Sequence, residues 1–175
     1  MMYTLKNHHK TDENITVKTI IQLQDNLLKL NYQIVGDLSN YHFPQNSKQQ
    51  RADELWLDSC FELFISHPHK NEYWEINISP STEWNIYHFT SYKEDMRVSN
   101  IISTPTIKSY RYEHEYKLSF ETIIQKENFD KLLLINLCVI LLDKKGVRNF
   151  YSMDRREGSP NFHDRACFKP FKVAS

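Results

Sequence analysis

Between residues 55 and 92 the chain alternates apolar and polar side chains with a period of two, in three strand-sized runs separated by short turns. That period marks a strand with one buried face, because successive side chains leave opposite sides of a pleated ribbon. In the first run Leu55, Leu57, Phe61, Leu63 and Ile65 share one side, and Trp56, Asp58, Cys60, Glu62 and Phe64 the other. His67-Pro68-His69-Lys70-Asn71 then interrupts it with turn formers and a proline that has no N–H for a ladder. In the second run Trp74, Ile76 and Ile78 alternate with Tyr73, Glu75 and Asn77. Pro80-Ser81 turns the chain again, and the third run, 84–92, carries aromatics on both sides. Antiparallel neighbours bring like faces together. The pattern therefore predicts a shared polar surface of Glu62, Glu75 and Asn77, with Trp56 and Trp84 at its margins.

Strand signals continue on both sides of this stretch. Segments 15–24 and Leu27–Val35 flank Asp25-Asn26, a two-residue pair suited to positive φ. Segments 107–112 and 116–122 flank Glu113-His114-Glu115, and 96–102 is a weaker strand. The run Leu132–Leu142 is apolar except for Asn136; it is too short to span a bilayer and predicts a central strand buried on both faces. Lys144-Lys145-Gly146 turns it into 147–153, a charged loop covers 154–160, and 167–173 is the last strand. Only 121–130 reads as a short helix. Irregular stretches are 36–53 and the polar first 13 residues, which lack the apolar core of a secretory signal. Many short strands with hairpin signals between them predict an all-β chain, a single antiparallel β-sandwich of 175 residues.

Lys and Arg number 22 and Asp and Glu 22, a balance that argues against a nucleic-acid partner, and no membrane partner is expected. A short basic patch of Arg148 with Arg155-Arg156 remains. Cys60, Cys138 and Cys167 are distant and odd in number, without a CxxC pair, so free buried thiols in a reducing cytoplasm are expected.

Carboxylates and an amide beside flat aromatic rings suit a polyhydroxylated ligand, whose hydroxyls donate and accept while its C–H faces stack. The same pattern also fits the solvated outer face of an antiparallel sheet. Glu62 and Glu75 could outline a small hydrolase. His163-Asp164 with Cys60 would require convergence in space. Haem needs axial ligands, for which Met153, His163, Met96 and His88 could be drawn in several pairs. His67-Pro68-His69 and His8-His9 have no fixed third metal ligand nearby.

The strings Leu-Trp-Leu-Asp-Ser-Cys-Phe-Glu-Leu-Phe-Ile at 55–65 and Tyr-Trp-Glu-Ile-Asn-Ile-Ser-Pro-Ser at 73–81, then Trp84 and Tyr87-His88-Phe89, resemble the DOMON-like proteins, relatives of the family 9 carbohydrate-binding modules. Pro160-Asn161-Phe162-His163-Asp164 with Cys167-Phe168 resembles that group's terminal Phe-His motif, and 32–38 with Pro44 also fits. The chain departs from it at Tyr151-Ser152-Met153-Asp154-Arg155-Arg156, where the group carries an apolar, Trp-containing segment. The resemblance implies an immunoglobulin-like β-sandwich that binds sugars or haem b. Together these signals give an expectation of a non-catalytic domain for a carbohydrate or similar small polar ligand, with a protein partner as a further option. Its alternatives are a haem-b redox domain and a small hydrolase using Glu62 and Glu75. No cofactor is specified. The expected site is Trp56, Glu62, Glu75, Asn77 and Trp84, with Arg155, Arg156 and His163 at its rim.

Overall fold

The computed structural model describes residues 1–8, 14–44, 48–125 and 131–174. The strands among them are β1 (Met2–Asn7), β2 (Thr16–Gln24), β3 (Leu27–Val35), β4 (Cys60–Ser66), β5 (Tyr73–Ile78), β6 (Trp84–Phe89), β7 (Arg97–Val98), β8 (Thr106–Arg111), β9 (Glu115–Ile123), β10 (Leu132–Leu142), β11 (Arg148–Ser152) and β12 (Lys169–Lys172). Every ladder between them is antiparallel. One layer has the order β1-β2-β3-β9-β8. The other runs β7-β6-β5-β4-β10-β11-β1, with β12 beside the first part of β10. Strand β1 belongs to both, since its residues 2–5 pair with β2 while Lys6 and Asn7 pair with β11. The result is the expected β-sandwich.

The two layers meet through side chains of one phase. On β2, Val17, Thr19, Ile21 and Leu23 are buried and the residues between them exposed, which is the period-two pattern of a half-buried strand. Tyr32 of β3 packs on Phe61 of β4 with ring centroids 5.0 Å apart, and its hydroxyl donates to the Glu62 carbonyl oxygen at 2.8 Å. Phe61 also stacks on Tyr116 of β9, 5.7 Å away. Local turns agree with the sequence: Asp25 and Asn26 both take positive φ, 46° and 71°, as a two-residue hairpin turn requires.

Four local expectations are corrected. Leu55–Leu57 is a 3₁₀ turn, and the strand begins at Cys60 because Ser59 and Asp58 are spent on loop hydrogen bonds to His42. The third run ends at Phe89, after which Lys93 and Asp95 adopt positive φ in a turn. Residues expected to open a helix at 121 continue β9 to Ile123, with Ile124 bridged to Ile102; 126–130 lie outside the described residues. The polar N-terminal segment contains β1, stabilised by pairing rather than by its own composition.

The largest correction concerns the outer face of β4, β5 and β10. It is not a wet sheet surface: all seven residues of β4 and all six of β5 are buried. Phe64, Tyr73, Tyr87, Phe89, Phe162 and Phe168 form a second apolar cluster on that side, separate from the inter-layer core. Burying a row of carboxyls and amides under such a cover is costly unless those groups find partners. That cost directs attention to this face.

Candidate functional site

Ladder register lays out the outer face in rows. Asn77, Glu62, Cys138 and Ser152 stand side by side across β5, β4, β10 and β11. The next row holds Tyr87, Glu75, Phe64 and Asn136. Glu62 and Glu75 are thus diagonal neighbours on adjacent strands, both projecting to the same side.

The segment after β11 folds back to form the cover. The Asn136 amide donates to the Phe162 carbonyl at 3.0 Å, anchoring the cover to the central strand. Phe162 meets Phe150 edge-on, and the His163 ring meets Phe64 and Phe89 edge-on at 5.1 and 5.3 Å. Arg165 donates to the carbonyls of His67 and Lys70, tying the cover to the β4–β5 turn. Between cover and sheet lies a cavity of about 470 Å³. Glu62 and Glu75 line it from the sheet with the rings of Phe64, Phe89 and Phe150, Trp56 lines it from the turn ahead of β4, and Phe162 lines it from the cover. Lys93, Met96 and Arg148, all exposed residues, line it toward solvent.

Both carboxyls are sunk in this apolar setting, Glu62 being 2% and Glu75 5% exposed. Burial, and then the charge of Glu75, hold Glu62 well above the usual carboxylate range. Burial pushes Glu75 up to about 7, opposed by the Asn77 amide, which donates to its Oε1 at 2.8 Å, and by the charge of Lys93. Two charges side by side in a low-dielectric pocket repel, so the pair retains a proton at neutral pH.

His163 completes the arrangement. The backbone N–H of Lys93 donates to Tyr73 Oη at 3.1 Å, which leaves the Tyr73 hydroxyl to donate to His163 Nδ1 at 2.7 Å. The network assigns the imidazole proton to Nε2, which faces Glu75 Oε2 at 3.7 Å. Burial, then Lys93, lowers His163 to about 4, so the ring is neutral at pH 7. Burial also pushes Tyr73 up to about 12.

Of the residues expected at the site, Trp56, Glu62, Glu75 and His163 line one cavity. Trp56 comes from the 3₁₀ turn ahead of β4 and sits edge-on to Tyr87 at 5.7 Å. Asn77 is fully buried beneath it and holds Glu75 in place. Trp84 lies elsewhere: paired with Ile78 and in phase with Ile86, it enters the inter-layer core at 4% exposure, with the Arg51 guanidinium 4.3 Å from its ring. Its neighbours Asn85, Tyr87 and Phe89 take the outer phase instead. Arg155 and Arg156 are exposed beyond the cover, and Arg156 is held by the Ala166 carbonyl at 3.3 Å and by Asp164 at 3.8 Å. Lys93, Met96, Phe89 and Phe150 are cavity residues that sequence reading does not find. They come from distant turns and strands, and only the phase of Phe89 hints at its place.

The rival constellations separate in space. Asp164 accepts from the Ala166 N–H rather than orienting His163. Cys60 is buried with its thiol pushed well above the usual range by burial, so it stays protonated. Met153 belongs to the inter-layer core, on the other side of the sheet from His163, whereas Met96 and His163 share the cavity. His88 is held by Glu72 at 3.1 Å. Among the described residues no cluster of three His, Cys, Asp or Glu is placed to hold a metal ion.

The fold is a β-sandwich similar to that of the family 9 carbohydrate-binding modules. The chain is similar over 99% of its length to 86% of a candidate carbohydrate-binding protein from Bacteroides uniformis ATCC 8492, with a TM-score of 0.71 at 14% identity. It is similar to a family 9 module from Caldicellulosiruptor kristjanssonii in complex with glucose (TM-score 0.58, 12% identity, 98% of this chain and 83% of that one). The cellotriose complex of a family 9 module from the same organism gives a TM-score of 0.59 at 13% identity, over 99% of this chain and 82% of that one. No protein-family model matches the chain, and no curated protein matches it in sequence.

Proposed function

We propose that the chain is a non-catalytic binding domain of DOMON-like type for a carbohydrate or a similar small polar ligand, seated in the outer-face cavity. The observation that carries this is the cavity itself: about 470 Å³, walled by aromatic rings, with two carboxyls at its floor. A small-molecule site has that size and that mixture of apolar walls with few polar groups. Glu75 and Glu62 offer hydroxyl partners, Trp56 a stacking face, and Asn77 holds Glu75 without touching the ligand. The structural neighbours, two of them solved with glucose and cellotriose, add support through the shared fold. Three buried free cysteines suit a reducing, cytoplasmic setting.

Both carboxyls project from one sheet face into the cavity. Glycoside hydrolysis also uses a pair of carboxyls about the scissile bond, and a turnover assay separates that alternative from binding.

Calorimetric titration with glucose, cellotriose, xylose and haem, beside a chromogenic-glycoside assay, tests the proposal. A sugar should bind, and Trp56→Ala should weaken it roughly 10-fold through the lost stacking face. A Soret band with haem and no response to sugars would favour the redox alternative, and turnover would favour the hydrolase.

A further inference from the structure

Glu62 is the most exacting group in the cavity. It lines the cavity at 2% exposure. Its carboxyl receives no hydrogen bond and no ion pair from any described residue, in contrast to Glu75, which has the Asn77 amide at 2.8 Å and His163 at 3.7 Å. A carboxyl set that deep, with its oxygens opening only onto the cavity and no donor of a described residue beside them, offers its acceptors to a donor that enters from outside. Around it stand the rings of Trp56, Phe64, Phe150 and Phe162. Carboxyls among aromatic rings are the chemistry that accepts an ammonium, through a charge-assisted hydrogen bond and the electron-rich ring faces.

Resting on the carbohydrate reading of this cavity, we infer that its floor is a subsite for a primary ammonium group, so that the preferred ligands are sugars bearing a free amine. The ammonium sits between Glu62 and Glu75, and the sugar ring occupies the aromatic-walled space toward Trp56.

The titratable groups facing Glu62 leave that position open for a cation. On the strands, Cys60 and Cys138 are thiols and Tyr73 a phenol, each held neutral by burial. His163 is neutral as well. Lys93 and Arg148 line the cavity from exposed positions and form no ion pair with either carboxyl. The field of Lys93 acts on Glu75 and His163, whereas Glu62 feels burial and the charge of Glu75. An ammonium entering the floor stabilises the ionised pair and expels the proton that the pair otherwise keeps. Proton loss by the carboxyl and salt-bridge formation therefore occur together, with no other reactant needed.

Calorimetry with glucose, glucosamine and N-acetylglucosamine at pH 7, in two buffers of different ionisation enthalpy, tests this. Glucosamine should bind at least 10-fold more tightly than glucose and release a proton on binding. N-acetylglucosamine, which keeps the nitrogen but not the charge, should fall to the level of glucose. Glu62→Gln, with its fold checked by a melting curve, should narrow the glucosamine-to-glucose ratio to within about threefold. Equal binding of glucose and glucosamine, or a preference that survives Glu62→Gln, overturns the ammonium subsite while the carbohydrate reading stands. If Glu62→Gln does not fold, absence of proton release in the unaltered protein overturns it alone. Binding of none of the three sugars overturns both.

Discussion

The two faces of the β4–β5–β10 sheet are buried to the same degree and built from different chemistry. Inward, Phe61, Leu63, Ile65, Ile76, Ile78 and Leu137 present only carbon to the other layer. Outward, equally deep, lie Glu62, Glu75, Asn77 and Asn136, interleaved with Phe64, Tyr73 and Cys138. An inward side chain lowers the free energy by leaving water, at about 25 cal/mol per Å² of apolar surface. An outward carboxyl raises it by leaving water and recovers only what its partners return. Depth alone therefore does not identify a core. The outward face carries these polar groups under an aromatic cover despite their cost, and that cost is the reason for reading it as a candidate site rather than as packing.

The contrast breaks most sharply at Leu137, fully buried on the inner face of the central strand. Leu137→Asp puts an unpaired charge among carbon atoms and should cost more than about 4 kcal/mol, enough to unfold the domain. Circular dichroism melting checks this, and a cooperative wild-type-like transition would contradict it.

Glu75→Gln should do the opposite. The folded-state value of about 7 lies above the ordinary 4.5, so Glu75 supports folding below pH 4.5 and loses that support as pH rises through 7. Glutamine does not titrate. The variant should match the wild type near pH 4 and exceed it by roughly 3 kcal/mol at pH 8, read from denaturant curves at each pH. His163 contributes the reverse slope. Lowered to about 4, it leaves the unfolded chain to take up the proton first, so stability is lost as pH falls from 6.5 toward 4. His163→Gln should flatten that acid limb.

Arg165→Ala gives the smallest change. It removes two hydrogen bonds from the cover to the β4–β5 turn, at a half-buried position, and should cost about 1 kcal/mol. Hydrogen exchange should show the loss confined to the cover, with the inner-face strands unchanged.

How much of this could be read in advance depends on how local the signal was. Leu132–Leu142 matches β10 end for end because a strand buried on both faces needs an unbroken apolar run. Glu62, Glu75 and Asn77 share a face because strand period and antiparallel register are local rules. Trp84 went to the wrong face because aromatics occupy both phases of 84–89, and only the ladder partner Ile78 resolves which is inward. Arg155 and Arg156 are close to His163 in sequence, yet the loop turns them outward. The burial of Glu75 was illegible for a different reason: it arises from Phe162 and His163, some 90 positions further along the chain. No periodicity records which distant loop covers a sheet. The exposed carboxylate that alternation suggests is a nearly fully buried one with a raised affinity for its proton.

The most direct measurement is amide chemical-shift mapping by NMR, with glucose and cellotriose titrated into the labelled protein. Shifts should concentrate at Trp56, on β4 and β5 around Glu62 and Glu75, at Phe150, and along 160–163, and Trp56→Ala should reduce them throughout. Perturbations gathered instead on the outer face of the other layer, around Lys18, Gln33 and Lys117, or no shifts with either sugar, would contradict a carbohydrate site in the outer-face cavity.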